Sequence, residues 1–554
     1  MKRSKRFEIL EKRPVNQDSF SDEWEDVGLI TMASPYDPEP SVKVEGGRIT
    51  EMDGKSIDEF DSIDSYIARY AIDIENVEKC MKMSELDIAK DIVDINVPRD
   101  RVLEICCAVT PAKLVRVVEA LNMVEIMMAQ MKMRARKNPA NQAHVTNIYD
   151  NPVLMAADSA EAALRGFAEI ETTAAVSRYA LLNALALLVG GLSARAGILS
   201  QCSLEESTEL QLGMRGFTTY AETVSVYGTE AVLIDGDDTP WSKGFLASIY
   251  ASRGIKMRFT SGTGSEVLMG STERKSMLYL EGRCLYLTKA CGAQGTQNGS
   301  VSCIGIPAAL PKGFKAIAAE NLMASLLNLE VASGNDQTFT HSDMRRMSKM
   351  FPQFVAGTDF ITSGYSAVPN SDDMFAGSNM DCDDYDDWYI LQRDMCVDGG
   401  IKPVKEEDVI EARKRGAEAL RDVFAAYDLP EITDREIEAA VFAYSSEDMP
   451  KRDIVVDIKA AEKFNKKKIN GIDIVKALYE TGHTKVAENV LFMLKQRITG
   501  DYLQTAAIFD EKGMLMSALN NTNEYTGPNT GYKIAPKRWK TLIEKKSSLE
   551  AMDF

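Results

Sequence analysis

The sequence has few of the residues from which common metal and disulfide sites are built. Its 554 residues include three histidines, at positions 144, 341 and 483. They form no H-x-x-x-H pair and have no cysteine companion, which argues against a zinc site. The nine cysteines contain no C-x-x-C motif. Neither a disulfide framework nor a zinc ribbon is therefore predicted, and a reducing cytosol is favoured.

Long apolar runs and basic stripes are also missing. The longest apolar stretch, 179–194, is interrupted by Asn183 and two glycines, and it is shorter than the roughly 20 residues that span a bilayer. No apolar segment follows the basic start MKRSKRFEILEKR, so no secretory signal is predicted. A net charge of −19 repels phosphate backbones, so nucleic-acid binding is not expected. SGTGSE and KACGAQGTQNGS each lack part of a nucleotide-binding fingerprint.

Composition and periodicity divide the chain into four regions. Residues 1–75, rich in Pro, Asp, Glu and Ser, are interpreted as an extended N-terminal arm or a disordered segment. Residues 76–137 are predicted to be a helical lead-in, and its methionine-rich end MVEIMMAQMKMRARK to pack as core. Residues 138–404 form the third region. Residues 405–554 are predicted to be mostly helical and to finish in a hairpin at YLQTAAIFDEKGMLMSAL.

In residues 138–404, short β-rich runs alternate with segments whose residue pattern predicts a helix. The runs include HVTNI (144–148), GILSQCS (197–203), EAVLIDGDD (230–238), IKMRFTSGTGSE (255–266), RCLYLTKACG (283–292), NLEVASGNDQ (328–337) and TDFITSGYS (358–366). This repetition predicts an α/β fold, a (β/α)8 TIM-type barrel, in preference to an open doubly wound sheet. Polar residues follow the strands, at the end of a barrel where active sites are built.

Six polar residues near the predicted strand ends are candidates for chemistry: Gln142, His144, Glu171, Glu222, Gln297 and Asp336. Taken singly, each could be a cap, an ion-pair partner or a satisfied core group. If they converge on one barrel mouth, they form an oxygen-rich cage for a hard cation and a polyhydroxylated ligand.

Longer stretches resemble the large subunits of coenzyme-dependent glycerol and propane-1,2-diol dehydratases. The resemblance runs from KRPVNQD (12–18) to GPNTGYKI (527–534) and is most specific in QAHVTN (142–147), YAETVSVYGTE (220–230), DGDDTPWSKGFLAS (235–248), MRFTSGTGSE (257–266), QNGSVSCIG (297–305), NDQTFTHSDMRR (335–346) and FITSGYSAVPN (360–370). The resemblance implies a barrel whose cavity holds the substrate, with adenosylcobalamin over the mouth between this subunit and a medium subunit.

The resemblance also implies a role for each candidate residue. The catalytic set is His144, Glu171 and Asp336; the substrate-binding set is Gln142, Gln297, Ser302, Gln337 and Ser363. The ligands of a Ca2+ or K+ ion are Gln142, Glu171, Glu222, Gln297 and the carbonyl of Ser363. The residues that face the coenzyme are Thr173, Thr223, Ser225, Asp235 and Met374. The implied reaction is a radical shift of a hydroxyl group from C2 to C1, followed by loss of water.

Substrate preference stays open between glycerol and propane-1,2-diol. Leu268 resembles the glycerol enzymes whereas Ser300 departs from them, and the balance leans slightly to glycerol. The implied partners are medium and small subunits in an (αβγ)2 assembly and a reactivating factor, either free in the cytoplasm or inside a bacterial microcompartment. Two other hypotheses are kept: a cobalamin-free, metal-dependent lyase on the same barrel, and an inactive scaffold subunit of a diol-processing complex.

Overall fold

A computed structural model gives the fold of the chain. It describes residues 37–60, 62–134, 140–146, 151–167, 169–174, 180–192, 197–202, 223–227, 240, 256–260, 276–290, 299–302, 313–335, 360–365, 404–442, 449–467, 469, 471–483, 525–526 and 533–534.

The N-terminal region carries regular structure that an extended arm does not include. Strands β1 (Val42–Glu45), β2 (Arg48–Met52) and β3 (Lys55–Ser56) form an antiparallel sheet. A short 3-10 turn and helix α1 (Ser62–Tyr70) follow. The turn at Gly46 and Gly47 has positive φ at both residues, the backbone that a two-residue hairpin turn requires. Residues 42–70 therefore carry regular structure inside the region predicted as an arm over 1–75.

Five helices follow: α2 (Val77–Met81), α3 (Glu85–Val93), α4 (Arg99–Cys106), α5 (Pro111–Ala120) and α6 (Met123–Met133). Their starts are encoded locally. Thr110 accepts a hydrogen bond from the Lys113 backbone N–H with Pro111 at the first helical position, and Asn122 with Glu125 forms a capping box.

The methionine-rich helix α6 packs as core along only one of its sides. Met133 is buried, as predicted, whereas Met128 is 50% exposed and Met131 is 71% exposed. The prediction that the whole segment is core is wrong for these two residues. A helix of this length presents one stripe to its neighbours and leaves the rest to solvent.

Eight strands form a closed ring of parallel pairs in the order β10-β11-β4-β5-β6-β7-β8-β9. They are β4 (Ala140–Thr146), β5 (Glu169–Ala174), β6 (Gly197–Cys202), β7 (Thr223–Tyr227), β8 (Lys256–Thr260), β9 (Gly299–Ser302), β10 (Glu330–Asn335) and β11 (Phe360–Tyr365). Each pair is parallel. Parallel neighbours require crossover connections.

Four of these crossovers contain a described helix. Helix α7 (Pro152–Arg165) joins β4 to β5 and α8 (Ala180–Leu192) joins β5 to β6. Helix α9 (Met277–Ala290) joins β8 to β9, and α10 (Gly313–Leu326) joins β9 to β10. The other connections lie outside the described residues, so the complete (β/α)8 assignment stays a prediction.

The run RCLYLTKACG was predicted as a strand, and this prediction is wrong. Its first eight residues lie in α9, most of which is buried. A helix that is buried on all sides loses the 3.6-residue alternation by which helices are recognised. Its Leu, Tyr and Thr residues then resemble a buried strand.

Three strands were not among the predicted runs: β5, β7 and β9. They are short and place Glu, Thr or Ser at alternate positions, so they lack the apolar density of a typical barrel strand. The predicted run 230–238 lies outside the described residues.

The C-terminal region contains α11 (Glu406–Ala426), α12 (Asp434–Phe442), α13 (Ile454–Lys466) and α14 (Gly471–Glu480). Two short antiparallel strands, β12 (Tyr525–Thr526) and β13 (Lys533–Ile534), lie further on. The hairpin predicted at 502–519 lies outside the described residues. Across the described part of the chain, no helix has the length and apolar character to cross a membrane.

The two flanking regions pack on different sectors of the ring. The lead-in helices share one apolar core with α9 and α10. On another side, α11 packs against α7 and α8. Each flank therefore packs on a different pair of helices that cover the ring.

Candidate active site

The strand register divides the ring into two faces. Successive residues of a strand alternate between faces, and register partners on parallel neighbours belong to the same face. This assignment stays consistent around all eight strands. The first face, here called the polar face, comprises Ala140, Gln142, His144, Thr146, Glu169, Glu171, Thr173, Gly197, Leu199, Gln201, Thr223, Ser225, Tyr227, Lys256, Arg258, Thr260, Gly299, Val301, Glu330, Ala332, Gly334, Phe360, Thr362 and Gly364.

The second face is mainly apolar in composition. It includes Ala143, Val145, Ile170, Ile198, Val224, Val226, Met257, Phe259, Val331 and Ile361. In a ring of strands covered by helices, the apolar face suits the helical layer and the polar face suits an enclosed cavity.

Six of the predicted site residues belong to the polar face. They are Gln142 and His144 on β4, Glu171 and Thr173 on β5, and Thr223 and Ser225 on β7. His144 and Glu171 are direct register partners on adjacent strands. Adjacent strands are about 4.8 Å apart, so an imidazole and a carboxylate start from neighbouring backbone positions.

Two predicted residues belong to the second face. Ser302 ends β9 and is the register partner of Ser333, and Ser363 on β11 is the partner of Ala143. For Ser363 the predicted ligand is the backbone carbonyl, which does not depend on the face that carries the side chain. Ser302 was predicted to bind substrate, and its face differs from that of Gln142 and His144.

The remaining predicted residues lie outside the described residues: Glu222, Asp235, Gln297, Asp336, Gln337 and Met374. Their neighbours along the chain are placed. Glu222 directly precedes β7, and Asp336 directly follows β10. No cluster of three or more His, Cys, Asp or Glu side chains suited to a metal occurs among the residues that the structure describes.

The register also shows polar-face residues that sequence reasoning missed. Glu169, Gln201, Lys256, Arg258 and Glu330 belong to the same face as His144. Glu169, Lys256 and Glu330 each start their strand, so they lie at the amino end of the ring. The available sequence signal was the alternation of polar and other residues within EIETTA and KMRFT. This alternation does not show which residues share a face with His144 until the partner strands are known.

A buried charge cluster supports the part of the ring that carries His144 and Glu171. Helix α7, which packs on β4 and β5, contains Asp158 and Glu161. Arg413 of α11 donates to Asp158 Oδ1 over 2.6 Å and to Glu161 Oε2 over 2.7 Å. Arg165 donates to Glu161 Oε1 over 2.9 Å. All four side chains have at most 1% exposure.

Two glycines let the helices behind these strands approach closely. A Cβ at Gly416 of α11 would lie 2.7 Å from the carbonyl oxygen of Ala156, and one at Gly190 of α8 would overlap the same oxygen. Both helices thus press on one point of α7, which fixes the layer behind β4 and β5.

Polar residues collected on one face of a closed ring of parallel strands have the arrangement of a barrel enzyme. Comparison with known proteins shows which enzyme family the chain belongs to. The chain belongs to the dehydratase large subunit family, whose model, described as "Dehydratase large subunit", matches residues 2–553. It is 59% identical over 539 residues to the glycerol dehydratase large subunit of Citrobacter freundii, covering 97% of both chains. The chain is accordingly the large, catalytic subunit of a dehydratase.

Proposed function

We propose that this subunit dehydrates glycerol to 3-hydroxypropionaldehyde, or propane-1,2-diol to propionaldehyde, with adenosylcobalamin as coenzyme. The similarity to a glycerol dehydratase large subunit over 97% of the chain supports the reaction class and favours glycerol. The observation that carries the proposal is that His144 and Glu171 are register partners on the polar face. Gln142 belongs to the same face of β4, and Thr173 to the same face of β5.

The proposed cavity is lined by the polar face, within a TIM-type barrel. His144 donates a hydrogen bond to the migrating hydroxyl and Glu171 accepts one from the other hydroxyl. A hydroxyl group migrates poorly, and partial protonation together with partial deprotonation of the diol lowers that barrier. Asp336, which directly follows β10, is the third catalytic residue of the proposal.

The proposed cation site uses Gln142, Glu171, Glu222, Gln297 and the Ser363 carbonyl. An all-oxygen set of amides, carboxylates and a carbonyl suits Ca2+, or K+. Gln142 and Glu171 belong to the same face of adjacent strands, which fits a shared ligand. The cation orients the two hydroxyl groups of the substrate.

The hydroxyl side chains of Thr173, Thr223 and Ser225 suit a large, neutral and amide-rich ligand. Thr173 and Ser225 offer hydroxyl groups, and Thr223 lies two residues before Ser225 on the same face. These groups donate and accept hydrogen bonds without adding charge. Asp235 and Met374 complete the proposed coenzyme contacts. When bound, adenosylcobalamin supplies a cobalt–carbon bond that cleaves homolytically and starts hydrogen abstraction; the protein orients the diol and excludes water.

The proposed assembly contains medium and small subunits in an (αβγ)2 complex, served by a reactivating factor. The family description as a large subunit supports the existence of smaller ones. The proposed location is the cytoplasm, either free or within a microcompartment. Gln337 is proposed to lie near the third carbon of the substrate, where glycerol and propane-1,2-diol differ. Ser302 is proposed to join it from the carboxyl end of β9, at the rim of the cavity, since its side chain does not share the polar face.

The test is aldehyde formation by the complex purified with its medium and small subunits, from each diol, with and without adenosylcobalamin. We expect aldehyde only when the coenzyme is present. Equal activity without coenzyme would favour the cobalamin-free lyase, and no aldehyde under any condition would favour the inactive scaffold. The ratio of kcat/KM for the two diols decides the preferred substrate.

A further inference from the structure

Gln201 of β6 belongs to a row of polar residues that crosses three adjacent strands. Its register partner on β5 is Thr173 and its partner on β7 is Ser225. All three are on the polar face. Thr173 and Ser225 are both assigned to the coenzyme in the proposed function, while no residue of β6 has been assigned a role.

The position of Gln201 along its strand is also informative. It is the second-to-last residue of β6, which ends at Cys202. It therefore lies just inside the carboxyl end of the ring, where barrel enzymes bind their ligands. Gln142 is level with Gly197, four residues before Gln201 on β6. A ligand that enters from the carboxyl end would therefore reach Gln201 before it reaches a substrate bound by Gln142.

The primary amide of the Gln201 side chain limits which ligands it can bind well. A glutamine side chain offers a donor and an acceptor side by side and carries no charge. This pair matches the N6 and N7 edge of an adenine ring, to which glutamine binds in a bidentate manner. The next residue in the row is Arg258, partner of Ser225, whose fixed charge instead suits an anion.

We propose that Gln201 binds the adenine of the coenzyme's adenosyl group, as a positioning residue in line with Thr173 and Ser225. This inference rests on the proposed function, since it requires adenosylcobalamin. Gln201 would thereby hold the adenosyl group in one orientation, so that the chemistry the coenzyme supplies would be directed towards the substrate.

The experiment compares the binding of two cobalamins to the complete complex with its medium and small subunits. Adenosylcobalamin contains the adenosyl group and cyanocobalamin does not. We expect Gln201→Met, which keeps the length of the side chain and removes its hydrogen bonds, to weaken adenosylcobalamin binding about tenfold. Its affinity for cyanocobalamin should change less than about twofold. Equilibrium binding followed by visible absorbance measures both without any turnover.

Ser200→Ala is the matched control, because Ser200 neighbours Gln201 on the same strand but belongs to the other face. It should leave both affinities unchanged. Equal affinities of wild type and Gln201→Met for adenosylcobalamin would overturn the inference alone. So would an equal loss for both cobalamins, because the contact would then not be to adenine. A wild-type complex that binds neither cobalamin would overturn the proposed function itself.

Discussion

His144 and Glu171 are register partners on β4 and β5, although 26 residues separate them in the sequence. Neither residue is conspicuous in its own segment. A single carboxylate next to an apolar run is more often a cap or an ion-pair partner, which is how Glu171 is interpreted when it stands alone. Their common level on adjacent strands makes joint action on one substrate possible.

Glu171→Gln and His144→Ala should each lower kcat by about 100-fold or more, the range of general acid–base assistance. Coenzyme affinity should fall much less, because the loss concerns the reaction step. Steady-state kinetics together with equilibrium coenzyme binding separate the two effects. Thr172→Ser, on the other face of β5, serves as control. Unaltered turnover in both variants would refute the catalytic assignment.

Asp53 is a buried acid at the turn between β2 and β3. Its Oδ1 accepts a hydrogen bond from the Ser41 N–H over 3.1 Å. Burial raises the pKa of Asp53 to about 7, with the charge of Asp64 acting in the same direction and Arg116 against it. An unfolded aspartate titrates near pH 3.9, so the folded protein holds a proton that the unfolded chain releases.

The free energy of unfolding should therefore fall as pH rises from about 4 to about 7, and level off above that. The slope from this group is at most about 1.4 kcal/mol per pH unit. Asp53→Asn stays neutral and should flatten the decline. Urea unfolding at several pH values measures this pH dependence of the free energy of unfolding. Hydrogen exchange over residues 42–56 reports it locally. An identical pH dependence in Asp53→Asn and wild type would contradict this account.

At the scale of elements, lysine side chains cover the carboxyl ends of helices in the lead-in. The last carbonyls of a helix lack partners within it. Lys113 donates to the carbonyl of Met81, the last residue of α2, over 2.9 Å, and to that of Met83 just beyond it, over 2.6 Å. Lys132 donates to the carbonyls of Asp91 and Asp94 around the end of α3, each over 2.8 Å.

Two further lysines make such contacts from the helices of the ring. Lys289 of α9 donates to the carbonyl of Ala71 after α1 and, over 3.1 Å, to that of Cys107 after α4. Lys315 of α10 donates to the carbonyl of Glu119 near the end of α5, over 2.5 Å. These bonds join the lead-in to the ring in addition to the shared apolar core.

Lys289→Met should lower the free energy of unfolding by about 1–3 kcal/mol, because two carbonyls lose their buried donor. Burial lowers the pKa of Lys289, but the side chain donates in either protonation state. Urea unfolding compares the variant with Lys90→Met, a matched replacement at a side chain that is 65% exposed. Equal stability of the two variants would show that the helix ends find other partners.

At the scale of the whole molecule, the C-terminal region is joined to the ring through α7. Arg413 connects α11 to Asp158 and Glu161, and it also donates to the Ala440 carbonyl of the next helix, α12, over 3.1 Å through Nε. The predicted boundary at residue 405 therefore separates regions of sequence that pack together in the folded chain.

Arg413→Met should destabilise the protein by about 3–5 kcal/mol, since it removes the guanidinium that bridges two buried carboxylates, Asp158 and Glu161. Lys414→Met, at a side chain that is 60% exposed, should change stability by less than about 0.5 kcal/mol. Thermal unfolding of the purified complex provides the comparison. If Arg413→Met unfolds at the wild-type temperature, the cluster contributes nothing to holding α11 on α7.

The sequence by itself determined the local features of this protein: helix starts at Thr110 and Asn122, the Gly46–Gly47 turn, strands at 197–202 and 360–365, and the family to which the chain belongs. These depend on residues close together in the chain. Only the tertiary structure decided that segment 277–290 is helical, that residues 42–70 are ordered, and that Gln201 is the register partner of Thr173 and Ser225. Those outcomes depend on which distant segments pair and what each element is buried against, and neither is written in the local pattern.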